Sequence, residues 1–139
     1  MTEEKYAETR KWLIKSQHDL GSARRLMEGE EPYFDTAVYH CQQAVEKALK
    51  AFLTHHDTVF VRTHDLTELL ELCITIDHSF ESYRGIAEDL TPYAVLFRYP
   101  SDLLEPDPDE VEKAFKDAQS LVGFTLGLLP KEVRPPRKI

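Results

Sequence analysis

The chain has 139 residues, 42% of them hydrophobic and 30% charged, with a formal net charge of −8. That length suits one domain burying roughly two thirds of the surface its unfolded chain would expose, and the composition excludes a disordered or disulfide-dependent scaffold. No apolar run approaches the 18 or so residues of a membrane span, and the charged first ten residues lack the apolar stretch of a signal peptide, so a cytoplasmic protein is expected.

A first helix is predicted from about Lys5 to Glu28, where Tyr6, Leu13, Leu20 and Met27 recur every seven residues and Trp12, Ser16 and Ala23 fill the adjoining stripe. Gly29 follows, suited to a left-handed helix end. A second helix opens around Glu31-Pro32 and runs to about His55, with Ala37, Cys41, Ala44, Ala48 and Phe52 at spacings of three and four. The stretch Thr54 to Thr63 loses that period and reads as a loop. Thr63 is the predicted N-cap of a short helix carrying Leu66, Leu69, Leu70 and Cys73.

After a break near Ile76 to Ser79, Tyr83, Ile86, Leu90, Tyr93 and Phe97 predict a fourth helix, kinked at Pro92 and closed by Arg98-Tyr99-Pro100. The last helix has Asp107 as cap, Pro108 at its first position, Glu110 completing a capping-box pattern, and an apolar stripe from Val111 to Leu129. Residues 131–139, with two adjacent prolines and several basic residues, read as a flexible tail after a single domain over residues 1–130. The fold class is therefore all-α: an antiparallel up-and-down bundle of four to five helices.

Several chemistries are absent from the pattern. The six histidines fall at no metal-ligand spacing, so they read as exposed loop residues, and no metal or cofactor is expected. The scattered glycines form no phosphate-cradling loop. Cys41 and Cys73 lie among apolar residues and read as reduced core side chains. The acidic balance argues against broad affinity for nucleic acid, DNA included; RNA contact would need a local basic patch.

What remains is polarity in an otherwise apolar second helix. His40, Gln43 and Lys47 share one strip at spacings of three and four, and His64 and Arg98 are the other polar intruders. They form either the floor of a polar cleft or a structural network in which Gln43 and His64 tie down the Thr54 to Thr63 loop and Arg98 pairs with a carboxylate.

The run CQQAVEKALKAFL (residues 41–53), the stretch Thr63-His64-Asp65-Leu66, Arg98-Tyr99-Pro100 after an aromatic helix, and Trp12 with Asp19-Leu20 and Ala23 resemble the HEPN domain family, in its small stand-alone prokaryotic branch. The resemblance covers about residues 5 to 129. It implies a helical homodimer without cofactor or membrane contact, paired with a minimal nucleotidyltransferase in a toxin–antitoxin module.

Many members are metal-independent ribonucleases whose signature is an Arg followed, after about four to six residues, by a His, a pairing suited to acid–base cleavage through the RNA 2′-hydroxyl. Here the corresponding positions after Arg98 are Leu103, Leu104 and Glu105, and the stretch Asp102 to Glu110 holds five acidic residues. The resemblance thus implies a nucleotide-binding or regulatory module using His40, Gln43, Lys47, His64, Arg98 and Tyr99. The alternative is an endoribonuclease in which Arg98 works with a noncanonical histidine, His40 or His64. Tyr93, Phe97 and Tyr99 are the expected interface aromatics.

Overall fold

The computed structural model describes residues 2–100 and 104–136. Asp102, Leu103 and the last three residues of the expected tail lie outside that range. Five α-helices follow in order: α1 (Thr2–Met27), α2 (Phe34–His55), α3 (Leu66–Ile76), α4 (Arg84–Leu90) and α5 (Pro108–Gly127). They form the expected all-α, up-and-down bundle.

The pairing of α1 with α2 sets the frame. Lys50 lies over Trp12, Ser16 Oγ donates to Ala44 O at 2.6 Å, and Asp19 meets His40. These contacts advance along α1 while retreating along α2, so the two helices are antiparallel. Serine and alanine at the crossing admit close backbone approach. Fourteen of the 22 residues of α2 are buried, and α1, α3 and α5 all pack on it. Gly29, at φ +93°, makes the left-handed turn after α1.

The second helix starts later than its proline suggested. Tyr33 stands at the cap of α2, and its N–H donates to Leu26 O at 2.8 Å, so Glu31-Pro32 belongs to the turn. The cap of α3 also shifts. Asp65, not Thr63, adopts extended backbone and accepts from Thr67 N at 2.9 Å, while Thr63 Oγ1 accepts from Asp65 N and braces the cap one step upstream.

The predicted fourth helix breaks into three pieces. A 3-10 turn (His78–Tyr83) precedes α4, and a second (Thr91–Ala94) follows it. Pro92 lacks the N–H that would continue the helix, and the Thr91 hydroxyl donates to Ala87 O at 2.7 Å while accepting from Leu66 N at 3.1 Å. The break therefore anchors the start of α3, and Phe97 lies beyond any helix.

For α5, Asp107 caps Glu110 N at 2.9 Å, yet Glu110 does not return the bond as a capping box would; its carboxylate accepts from the Tyr93 hydroxyl at 2.6 Å. The packed chain also extends past residue 130. Lys131–Val133 forms a 3-10 turn with Val133 fully buried, and Arg134 donates to Leu129 O. No described helix is long and apolar enough to cross a membrane.

Because the side-chain cap of α3 is Asp65, Asp65→Ala should lower stability by about 1 kcal/mol in urea unfolding, and Thr63→Ala by clearly less. Equal losses would return the cap to Thr63.

Candidate functional site

The polarity of α2 resolves into two networks, each centred on a carboxylate. The inner one surrounds Glu46, whose side chain is 4% exposed. Lys50 Nζ reaches Glu46 Oε2 at 2.9 Å; His64 Nδ1 lies 2.9 Å from Oε1, and the Gln42 amide donates to Oε1 at 3.2 Å. Gln42 also donates to His64 O at 2.8 Å, and Gln43 donates to Gln42 Oε1 at 2.8 Å. Lys50 lies against the Trp12–Phe60 edge-to-face pair, 5.5 Å from one ring and 5.8 Å from the other. Burial raises the Glu46 pKa, but the hydrogen bonds from His64 and Lys50 and the Lys50 charge outweigh it and hold the carboxyl below its ordinary 4.5.

This inner network is structural. Gln42 and His64, rather than the expected Gln43 and His64, fasten the chain ahead of α3 to α2. Gln43 is nearly buried against the same cluster.

The outer network opens to solvent. Asp19, at the edge of the buried stripe of α1, accepts from Lys47 Nζ at 2.6 Å and pairs with His40 Nδ1 at 2.8 Å. His40 thus has one ring nitrogen committed to Asp19, which leaves Nε2 as the nitrogen available for chemistry. His40, Tyr39, Thr36, Asp35, Phe97 and Arg98 line an open cleft of about 360 Å³.

Arg98 is exposed, and its guanidinium carbon lies 3.8 Å from the centroid of the Tyr39 ring. The expected carboxylate partner is absent among the described residues, and the guanidinium makes only a long hydrogen bond there, 3.4 Å to Ala94 O. The turn that delivers it is strained: Phe97 has φ +69°, an outlier for a bulky residue. That kink brings Arg98 back over α2.

Of the predicted set, the structure therefore joins His40 and Lys47 through Asp19 and places His40 on the same cleft as Arg98. Gln43 and His64 belong to the inner network. Tyr99 is exposed beside Arg98 but does not line the cleft. Of the interface aromatics, Tyr93 is buried and bonded to Glu110, Phe97 is half-buried, and Tyr99 alone is open; Val95, Leu96 and Leu104 extend the exposed apolar surface beside it.

Asp19, Asp35, Thr36 and Tyr39 were not read as site residues. The available signal was Asp19, a carboxylate on the margin of an apolar stripe. His55 corrects the reading of the histidines as exposed loop residues: it is the last residue of α2, half-buried and stacked on Tyr6, whereas His56 is exposed in the turn that follows, against Phe52; burial is the main cause that lowers both pKa values. Burial also pushes the Cys41 and Cys73 thiols up to about 12, which suits inert core side chains. Among the described residues, no group of three or more His, Cys, Asp or Glu is placed to hold a metal.

Removing Glu46 would strand Lys50 inside the bundle, so Glu46→Ala should cost roughly 3–5 kcal/mol. Because the folded pKa of Glu46 is depressed, its contribution is complete above the unfolded value and fades as pH falls through the folded one. Urea unfolding below pH 4.5 should show that loss in wild type, and Glu46→Gln should flatten it.

The HEPN domain family model matches residues 9–129. The crystal structure of an archaeal HEPN homologue superposes with a TM-score of 0.69 at 19% identity, covering 86% of this chain and 96% of that one; the likeness is one of fold. The search of curated proteins returned no match. With its family match spanning all five helices, this chain belongs to the HEPN domain family.

Proposed function

We propose that this protein is a nucleotide-binding or regulatory HEPN module whose Arg98 cleft takes a phosphate-bearing ligand. It acts in the cytoplasm as a homodimer, alongside a minimal nucleotidyltransferase, in a toxin–antitoxin-like pair. The observation that carries this reading is the state of Arg98: exposed, set against the Tyr39 ring and without a carboxylate partner among the described residues. A guanidinium held 3.8 Å over an aromatic ring is oriented in advance and weakly hydrated, and its N–H groups suit two-pronged contact with phosphate. The Thr36 hydroxyl and His40 are polar groups on the same walls. Exposed Val95, Leu96, Tyr99 and Leu104 supply an apolar surface next to the cleft for the dimer or the partner.

A second reading, metal-independent RNA cleavage, is favoured by one specific feature: His40 shares the cleft with Arg98, and its Nδ1 is held by Asp19. A histidine oriented in that way can move a proton, and such help contributes roughly 10²- to 10⁴-fold. His64 has no place in this chemistry, because it does not line the cleft and its Nδ1 is bonded to Glu46 in the inner network.

Calorimetry with AMP, using adenosine as the phosphate-free control, and cleavage of labelled mixed-sequence RNA in EDTA separate the two. The leading reading expects AMP to bind, adenosine not to, Arg98→Ala to weaken AMP about tenfold or more, and RNA to stay intact. Cleavage abolished by Arg98→Ala and by His40→Gln, but kept by His64→Gln, would put the second reading in its place. Neither binding nor cleavage would remove both.

A further inference from the structure

The sequence's acid excess is unevenly shared. Residues 1–55 hold eight Lys and Arg against nine Asp and Glu, whereas residues 56–139 hold nine against sixteen. The outer face of α1 is the basic exception. Lys11, Lys15, His18 and Arg25 recur at steps of four, three and seven, all exposed, with the half-buried Ser22 between them and acids only one step beyond the two ends, at Glu8 and Glu28. At 1.5 Å per residue it runs about 21 Å.

Most described lysines are matched to carboxylates, as Lys5 is to Asp57, Lys47 to Asp19, Lys113 to Asp89 and Asp117, and Lys116 to Glu112. Lys15, His18 and Arg25 have no ion-pair partner among the described residues. Lys11 pairs with Glu8 at 2.9 Å, but both side chains are open to water, where such a pair is weak. The helix dipole accounts for Arg25 in the last turn but not for Lys11 and Lys15 in mid-helix.

The stripe also leads somewhere. Asp19 lies one turn beyond Lys15 and is joined to Lys47 and His40, so the face passes sideways onto the polar strip of α2. Its far end comes beside Tyr33, whose N–H bonds Leu26 O and whose side chain is 59% exposed. Tyr99, 62% exposed, stands next to Arg98 in the chain. Cations along a rail with open aromatic rings toward one end match a backbone of phosphates carrying unstacked bases; a duplex would hide those bases.

We propose that the outer face of α1 is a phosphate-contact track that guides a single-stranded polynucleotide into the Arg98 cleft. The inference rests on the reading of that cleft as a phosphate site. Lys15 and Arg25 supply the main charge contacts and His18 a hydrogen bond, while Tyr33 offers a stacking surface.

The test is fluorescence anisotropy with a labelled RNA of about 12 nucleotides, the DNA strand of the same sequence, and the corresponding duplex, across about 50 to 200 mM salt. Wild type should bind the single strands more tightly than the duplex, and the RNA and DNA arms then show whether the sugar is read. The combined variant Lys15→Gln, His18→Gln, Arg25→Gln should lower the slope of log affinity against log salt by roughly one to two, while AMP binding measured by calorimetry stays as in wild type.

An unchanged slope in the variant overturns the track and leaves the cleft standing. Failure of AMP to bind wild type marks failure of the cleft reading, visible apart from any slope, and removes a track that leads to it. Salt-sensitive self-association without polynucleotide affinity would assign the stripe to the acidic face of a second copy and overturn the proposal.

Discussion

A carboxylate enclosed by the bundle, Glu46, is the interaction on which the arrangement of α2 depends. With 4% of its side chain exposed, it could not remain ionised without Lys50, His64 and Gln42 around it. Those same partners tie the chain entering α3 to α2 and hold Lys50 against Trp12 and Phe60. One charge thus fixes α1, α2 and the loop ahead of α3 with respect to one another. That rigidity is what allows the opposite flank of α2 to carry a second, less enclosed set of polar groups around Asp19.

The two networks use like residues for unlike ends. Each joins a carboxylate, a lysine and a histidine held through Nδ1, but only the Asp19 set borders the cleft of Arg98, which has no carboxylate partner among the described residues. Arg98 reaches that position through a chain of local constraints. Pro92 ends helical hydrogen bonding, Thr91 anchors the break, and Phe97 adopts positive φ. A strained bulky residue holding an exposed guanidinium against a ring is the kind of local cost found where a side chain has a task beyond packing.

The periodic parts of the fold were legible in the sequence because period follows directly from burial. Leu13, Leu20, Ala44, Ala48 and Phe52, with Val111, Ala114, Ala118, Leu121 and Val122 of α5, are all buried as their spacing implies. What escaped was settled by competition between near-equal local choices. Two oxygen-bearing side chains, Thr63 and Asp65, could cap α3, and only the backbone angle at Asp65 decides. Glu110 could return its cap bond or take the Tyr93 hydroxyl, and tertiary contact won. The site was half legible: helical spacing put His40 and Lys47 together, but Asp19 is twenty-one residues from His40 in sequence, and the Arg98–Tyr39 stack follows from a turn that no period announces.

The crystal structure of the protein with AMP bound would test the central claim most directly. The account predicts the phosphate within hydrogen-bond distance of Arg98, with the guanidinium still lying on Tyr39 and His40 still joined to Asp19. Arg98 paired to a carboxylate, with the nucleotide bound elsewhere or not at all, would contradict it.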